Sequence, residues 1–278
     1  MKTLRIAAVQ TRPEFGAVDA NVAAALALVP TGCDLAVLPE LFATGYQFTS
    51  PDEVRAFAED VTGGGSAPVC ERLAQFAGDT GTTVVAGLAE RAGDRLFNAA
   101  VLVRPDGSRD VYRKVHLFLD EKSLFTPGDL GFPVFAACGT RVGLMICFDW
   151  IFPELARSLA LQGAQILCHP ANLVLAWCQK AMVIRSVENR VFSILCNRVG
   201  SEERNGVSLT FTGGSEIVHP RGEILASASA DAEELIWAVI DPTDADEKMI
   251  TSTNHVLNDR RPEFYFGAPG EFSADPSR

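Results

Sequence analysis

Short apolar segments alternate with helix-forming segments along most of this chain, and that alternation restricts the possible folds more than any other feature. Leu4–Gln10 is a nearly continuous apolar run. It is followed by the alanine- and leucine-rich segment Asn21–Val29 and by a second apolar run, Asp34–Leu38. A strand, a crossover helix and a parallel strand form a right-handed βαβ unit. The beginning of the chain therefore predicts a largely buried α/β sheet.

The second half repeats this pattern. In chain order the pattern predicts strand Arg141–Cys147, helix Pro153–Gln162, strand Gln165–Cys168, helix Trp177–Arg190 and strand Val191–Asn197. Each half also contains a predicted hairpin with a Pro- and Gly-containing turn, Asn98–Val103 with Val111–Lys114 and Glu216–Val218 with Glu223–Leu225, and Leu235–Ile240 is a last strand. Two similar halves predict two sheets with helices outside, an α-β-β-α sandwich. We expect one domain over residues 1–278, with an extended C-terminal tail from about residue 242.

Composition and charge narrow the class of protein. The chain has 278 residues, of which 47% are hydrophobic and 21% charged, as in soluble globular proteins. No run approaches the roughly 18 apolar residues that a membrane helix needs, and the N-terminus does not resemble a signal peptide, so we expect a cytoplasmic protein. The net charge of −11 disfavours binding to nucleic acid or to anionic membranes.

The seven cysteines are scattered and never form a C-x-x-C pair, which is typical of a reducing compartment. Cys168, His169 and Cys178 lie close together in the sequence, but their spacing matches no structural zinc pattern. We therefore expect neither a metal nor another cofactor.

One cysteine lies at a chemically suggestive corner. The strand ending at Cys147 passes through Phe148-Asp-Trp150 into Pro153, which suits the first turn of a helix. A thiol at such a corner faces a cleft together with the backbone N–H groups that follow it, and this arrangement favours a nucleophile. Taken alone, a cysteine at this position is more often a small apolar residue at the edge of the core.

Two further polar residues follow predicted strands. Glu40 comes directly after Asp34–Leu38 and Pro39, and Lys114 ends the Val111–Lys114 strand. Ligand-binding crevices of α/β sheets form at the carboxyl ends of strands, so Glu40, Lys114 and Cys147 are expected at one edge.

Three motifs at these positions resemble the nitrilase, or carbon-nitrogen hydrolase, family, in the amidase-like branch. They are Leu38-Pro-Glu40 with Thr44-Gly-Tyr46, then Tyr112–Phe118, and then Ile146–Trp150 with Phe152-Pro-Glu154. The resemblance covers nearly the whole chain and implies a four-layer sandwich of the nitrilase type. It also implies that Glu40 is the general base, Lys114 the oxyanion stabiliser and Cys147 the nucleophile. Glu121 is the candidate accessory glutamate, with Asp120 as the alternative.

The chemistry of these residue types agrees with that assignment. A thiol with an ordinary pKa of about 8.5 is only partly ionised at neutral pH, and a nearby ammonium group favours the thiolate and binds a developing oxyanion. The N–H of Phe148 is the expected second donor to the oxyanion. Tyr46, Trp150 and Asn172 are expected to line the substrate crevice, although each could serve only packing or turn formation.

The resulting hypothesis is hydrolysis of a small amide through a cysteine thioester, with release of ammonia and a carboxylic acid. The absence of basic residues from Ala171–Trp177 favours a neutral amide. Alternatives are a nitrilase, an N-carbamoyl amidohydrolase, a Cys–His hydrolase with His116 or His169 as base, and an inactive binding or scaffold protein. The resemblance implies that the helix from Pro153 contributes to a dimer interface, and the aromatic cluster Phe264–Phe266 could pack against a partner subunit, so we expect a homodimer or higher homo-oligomer.

Overall fold

The computed structural model describes residues 3–265, which contain fourteen strands and six α-helices. The elements of the first half are β1 (Leu4–Gln10), α1 (Val18–Leu28), β2 (Leu35–Val37), α2 (Pro51–Phe57), α3 (Pro68–Thr80), β3 (Thr83–Ala92), β4 (Arg95–Val103) and β5 (Arg109–Arg113). Those of the second half are α4 (Glu121–Leu124), β6 (Val134–Ala137), β7 (Thr140–Leu144), α5 (Pro153–Leu161), β8 (Ile166–Pro170), α6 (Cys178–Asn189), β9 (Phe192–Cys196), β10 (Ser201–Arg204), β11 (Val207–Thr210), β12 (Glu216–Val218), β13 (Ile224–Ser227) and β14 (Glu234–Ile240). Short 3₁₀ helices span Cys147–Ile151, Pro242–Asp246 and Pro262–Phe264.

Two six-stranded sheets have closely related strand orders. The first sheet has the order β14-β1-β2-β3-β4-β5, and the second has the order β13-β12-β9-β8-β7-β6. In each sheet three central strands are parallel, β1 to β3 in one and β7 to β9 in the other, and the flanking strands are antiparallel. Parallel strands buried on both faces account for the continuous apolar runs in the sequence.

The helices cover the outer faces of the two sheets. Apolar residues of α1 and α3, such as Val22 and Leu73, pack against β3 and β4. The largest apolar cluster joins the inner faces of both sheets, including Ile6 and Ile166, and continues to residues of α5 and α6 such as Leu159 and Met182. The predicted α-β-β-α sandwich is therefore confirmed.

Proline and glycine residues at the ends of α5 have the roles predicted from the sequence. Pro153 occupies the first turn of α5, where its missing N–H breaks no helical hydrogen bond. Gly163 follows the helix with φ +88°, a conformation that favours glycine and that turns the chain back into β8. The strand predicted to reach Cys147 ends at Leu144, although Ile146 is still extended, and the chain turns at Cys147, where a 3₁₀ helix begins.

Other elements were not predicted. The β10–β11 hairpin forms a separate two-stranded sheet, and its polar sequences show no apolar alternation. β6 is a short edge strand, and α4 lies in a charged segment that would ordinarily be exposed loop. Such elements depend on their partners in the fold rather than on local apolar periodicity.

The tail packs against the second half as far as it is described. Asp246 accepts hydrogen bonds from Arg141 and Gln165, and Lys248 donates to the carbonyl groups of Asn189 and Arg190. Phe264 and Tyr265 are exposed, while Phe266 and the rest of the tail lie outside the described residues. Within residues 3–265 no helix is long and apolar enough to cross a membrane, and no group of three or more His, Cys, Asp or Glu side chains could hold a metal ion.

Candidate active site

The carboxyl ends of strands from both sheets meet at one edge. β4 and β5 each reverse direction relative to the preceding strand, so β5 runs parallel to β2 and its end lies at the same edge. The two sheets are joined there by a hydrogen bond of 2.8 Å from Asn172 Nδ2, after β8, to the backbone carbonyl of Glu40, after β2. The topology thus brings together residues that are distant in the sequence.

Glu40 is fully buried, and its two carboxylate oxygens differ in their surroundings. Oε1 accepts hydrogen bonds from Asn98 Nδ2 at 2.7 Å and from Lys114 Nζ at 2.8 Å, whereas Oε2 has no hydrogen-bond partner among the described residues. A Cβ atom on Gly87 would lie 2.3 Å from Glu40 Cα. Glycine at position 87 is therefore required for the backbone of Glu40 to approach β3.

Lys114 is fully buried between two carboxylates. Its Nζ lies 2.8 Å from Glu40 Oε1 and 2.8 Å from Glu121 Oε1. Burial by itself lowers the pKa of Lys114, but the negative charges of Glu121 and Glu40 outweigh this effect and hold the pKa above its ordinary value. The ammonium group therefore remains charged inside the protein.

Glu121, and not the neighbouring Asp120, contacts the lysine. The Glu121 side chain is buried and accepts hydrogen bonds from Tyr46 Oη at 2.8 Å and from the N–H of Phe118 at 3.0 Å, whereas Asp120 is exposed. Burial raises the pKa of Glu121, and the charge of Lys114 opposes that rise. The single turn of α4 is what directs Glu121 inward.

Cys147 begins a 3₁₀ helix with an unusual backbone conformation. Its φ of +40° lies in the left-handed region that residues other than glycine seldom adopt. His169 Nε2 donates to the Cys147 carbonyl oxygen at 2.9 Å, and Asp149 Oδ2 accepts from the N–H of Ile146 at 2.9 Å. These bonds hold the residues on both sides of the strained position.

The Cys147 thiol is only 4% exposed. Burial, followed by the charge of Glu40, raises the pKa of Cys147 well above its ordinary value, while Lys114 and the backbone N–H of Asn172 lower it by less. The expectation that the lysine favours the thiolate has the correct direction, but burial outweighs it. In the resting protein the thiol is therefore protonated at neutral pH.

The predicted crevice residues line two neighbouring pockets. Phe148, Trp150 and Asn172 border a small pocket beside Cys147, together with Phe118 and Leu173–Leu175. Tyr46 and Glu121 border a larger pocket whose opposite wall comes from the tip and second strand of the β10–β11 hairpin. Tyr46 has its hydroxyl group bound to Glu121, so in this structure it supports the buried carboxylate.

Comparison with known proteins identifies the family. A family model described as carbon-nitrogen hydrolase matches residues 5–248, most of the chain. The chain belongs to the carbon-nitrogen hydrolase family.

Individual carbon-nitrogen hydrolases resemble the whole chain. A nitrilase of Pyrococcus abyssi is 45% identical, with 95% of this chain and 99% of the relative covered. An N-carbamoylputrescine amidase of Solanum lycopersicum is 32% identical, with 89% of each chain covered. A mutant amidase of Nesterenkonia sp. AN1 has the same fold, with TM-score 0.75, 27% identity and 94% of both chains covered; its crystal structure has the acetamide moiety of fluoroacetamide covalently added at the active-site cysteine.

The two histidines considered as alternative bases are engaged elsewhere in this carbon-nitrogen hydrolase. His116 Nδ1 lies 2.7 Å from Asp149 Oδ1, and His169 Nε2 contacts the carbonyl group, not the sulfur, of Cys147. Burial lowers the pKa of His169 to about 4, so the ring is neutral at neutral pH. Among the described residues, no hydrogen bond joins either histidine to the Cys147 sulfur.

The structural roles of three polar residues of the site were not predicted. Asn98 binds Glu40, His169 binds the Cys147 carbonyl group, and Asp149 anchors the corner. Asn98 and His169 are polar residues within otherwise apolar strands, and that interruption is a signal that could have identified them.

Proposed function

We propose that this carbon-nitrogen hydrolase cleaves the C–N bond of a small neutral amide through a thioester on Cys147, producing ammonia and a carboxylic acid. Glu40 is the general base, Lys114 and the N–H of Phe148 stabilise the oxyanion, and Glu121 orients Lys114. Asn172, Trp150 and Tyr46 form the surrounding walls. The proposal rests on the chemistry of the Glu40–Lys114–Glu121 cluster.

One observation carries this proposal, namely the unequal surroundings of the two oxygens of Glu40. Oε1 accepts hydrogen bonds from Asn98 and Lys114, while the buried Oε2 has no partner in the part of the chain that the structure describes. A buried acceptor without a partner is unfavourable unless a reacting group uses it. Lys114 likewise uses two of its three N–H donors on carboxylates, which leaves one for a substrate oxygen.

The reaction then follows from these free groups. As the Cys147 sulfur attacks the amide carbon, its proton passes to Glu40 and the carbonyl oxygen becomes an oxyanion beside Lys114. Glu40 returns the proton to the nitrogen, the C–N bond breaks, and ammonia departs from the thioester. Water attacks the thioester with Glu40 as base, and the acid is released as the thiol is regenerated. Because the resting thiol is protonated, Glu40 is needed at the first step.

The test is Cys147→Ala, assayed by ammonia release from a panel of small amides. We expect turnover to be abolished with the fold intact, because the thioester cannot form. Cys70→Ala is the matched control, since Cys70 is a buried cysteine of α3 that packs in a different apolar cluster from Cys147. Full activity in Cys147→Ala would refute the mechanism, and absence of turnover in the wild-type protein with every substrate would favour the inactive binding protein.

The pocket beside Cys147 supports a small neutral substrate. Apart from Cys147 and Asn172 its walls are apolar, and none of its lining residues is basic. Matching nitriles belong in the same panel, because sulfur attack on a nitrile uses the same groups and would produce a thioimidate. A preference for nitriles over the corresponding amides would identify a nitrilase.

A second candidate substrate is an N-carbamoyl compound with a cationic end. The larger pocket contains Asp120, whereas the charge of its Arg204 is neutralised by Glu53 at 2.7 Å. A carboxylate in this position suits an ammonium group, and the tomato relative is named for such a substrate. If this candidate is correct, Asp120→Asn should raise the KM for a carbamoyl amine and leave that for a neutral amide unaltered.

We also propose that the protein is a homodimer. Apolar side chains are exposed on the 3₁₀ helix and on α6, where Ile151 is 41% and Ile184 53% exposed. Exposed apolar side chains on neighbouring helices are suited to a subunit interface. The mass in solution, measured by light scattering for the wild type and for Ile184→Glu, distinguishes a dimer from a monomer.

A further inference from the structure

A buried aspartate connects the segment that carries Lys114 to the corner that carries Cys147. Asp149 Oδ2 accepts hydrogen bonds from Tyr112 Oη at 2.8 Å and from the N–H of Ile146 at 2.9 Å. Its Oδ1 accepts from His116, through Nδ1 at 2.7 Å and through the backbone N–H at 3.3 Å. The Asp149 carboxylate is fully buried, and all of these donors flank the two reacting residues.

His116, whose side chain is partly buried, is the other member of this connection. Its ring stacks on Phe152 with centroids 3.7 Å apart and planes at 16°, so its orientation is restricted. The ring is thus bound to the nucleophile corner both by stacking and by its hydrogen bond to Asp149. Since His116 is two residues after Lys114 and Asp149 two after Cys147, the pair joins the two segments close to their functional side chains.

We propose that the His116–Asp149 pair is a positioning pair, which holds the Cys147 sulfur at the correct distance from Lys114 and Glu40. This inference rests on the proposed roles of those three residues. Because His116 Nδ1 is bound to Asp149, we assign the pair to positioning and not to proton exchange with the substrate. A small displacement of the nucleophile is sufficient to slow a reaction that depends on near-attack geometry.

Two nearly isosteric substitutions separate the hydrogen bond from the bulk of the ring. In His116→Asn the amide N–H₂ can occupy the position of Nδ1 and donate to Asp149, whereas His116→Leu has similar size and no donor. We expect His116→Leu to lower kcat ~10-fold with little change in KM, the equivalent of losing one charge-assisted hydrogen bond. In His116→Asn we expect kcat to stay within about threefold of the wild-type value, because the hydrogen bond to Asp149 is retained.

His219→Leu is the matched control. His219 also lies near an aspartate, with Nε2 3.5 Å from Asp244, and packs edge-on against Phe192, but it is in the β12–β13 turn. Assays are made well below the melting temperature of every variant, so that lost stability does not appear as lost turnover. A wild-type kcat in His116→Leu would overturn the proposal, as would a raised KM with unaltered kcat. Equal loss in Asn and Leu variants would also overturn it and favour the imidazole as a catalytic base.

A second measurement does not depend on the substrate. Alkylation of Cys147 by iodoacetamide, quantified by peptide mass spectrometry because the chain has seven cysteines, reports how well the surrounding groups assist the thiol. We expect slower alkylation in His116→Leu than in His116→Asn. If no amide or nitrile is hydrolysed, the proposed function fails, but this difference still tests the positioning pair. Equal alkylation rates in the two variants would contradict it.

Discussion

Tyr46 was expected to line the substrate crevice, yet its hydroxyl group is bound to Glu121 within the buried charge cluster. Removing that hydroxyl group in Tyr46→Phe should lower kcat about fivefold and leave KM nearly unaltered, since the lost bond contributes about 1 kcal/mol to orienting the carboxylate. Steady-state kinetics check this expectation. Tyr265→Phe, at an exposed position, is the control. A raised KM with normal kcat would support the original crevice role instead.

Glu216 is a second buried carboxylate, and it makes the stability of the protein dependent on pH. It lies in β12, its Oε1 has no hydrogen-bond partner within residues 3–265, and burial raises the pKa of Glu216 from 4.5 to about 8. Because the folded state holds its proton more tightly than the unfolded state, this residue reduces stability progressively from about pH 4.5 to about pH 8 and by a constant amount above that.

Glu216→Gln should therefore stabilise the protein at neutral pH relative to acid pH. The gain at pH 7 relative to pH 4.5 is expected to be roughly 3 kcal/mol, from 1.36 kcal/mol per pKa unit. Urea unfolding at a series of pH values measures it. The exposed Glu223→Gln should show no such trend. If the free energy of unfolding of Glu216→Gln depends on pH as it does in the wild type, Glu216 is not the source of that dependence.

Among the secondary-structure elements, the β10–β11 hairpin is joined to the candidate site by Glu202, which also belongs to a buried ion pair. Arg198 and Glu202 contact one another, and the Glu202 carboxylate accepts hydrogen bonds from the N–H groups of Tyr46 and Gln47. The hairpin thereby fixes the loop that presents Tyr46 to Glu121.

Breaking that pair should be strongly destabilising. In Glu202→Gln the guanidinium group of Arg198, 1% exposed, loses its counter-charge, at a cost of about 3 kcal/mol in the free energy of unfolding. The neighbouring Glu203→Gln, exposed on the same strand, should change stability by less than about 0.5 kcal/mol. Denaturant unfolding measures the free energy of unfolding of both variants. Similar free energies for Glu202→Gln and Glu203→Gln would contradict a structural role for the ion pair.

The sequence predicts well those elements that form a local pattern of apolar residues. β1, β2, β7 and β8 are buried on both faces and so appear as apolar runs, and their ends locate Glu40 and Cys147 without any long-range information. By contrast, the polar β10 and β11 pair with each other and with no other described strand. The contact between Asn98 and Glu40 joins residues 58 positions apart, and the turn of α4 that buries Glu121 depends on Lys114 and Tyr46. None of these follows from local periodicity.

At the scale of the whole molecule, we propose that the two sheets form one folding unit, as expected for a single domain. The main apolar cluster contains residues of both sheets, and β14, near the end of the described chain, pairs with β1 at its start. Denaturant unfolding followed by far-UV circular dichroism and by the fluorescence of Trp150 and Trp237, each in a single-tryptophan variant, should therefore give coincident midpoints. Transitions that separate by more than the fitting error would indicate two units.

The burial of Cys147 also affects how durable the enzyme is outside its reaction cycle. Peroxides and other oxidants attack thiolates far faster than thiols, and a sulfur that is almost inaccessible and protonated at rest presents little thiolate to them. In the proposed mechanism, the burial that makes Cys147 depend on Glu40 as a base thus also shields the thiol from oxidative inactivation between turnovers. Such a protein would keep its activity during storage in air without added reducing agent.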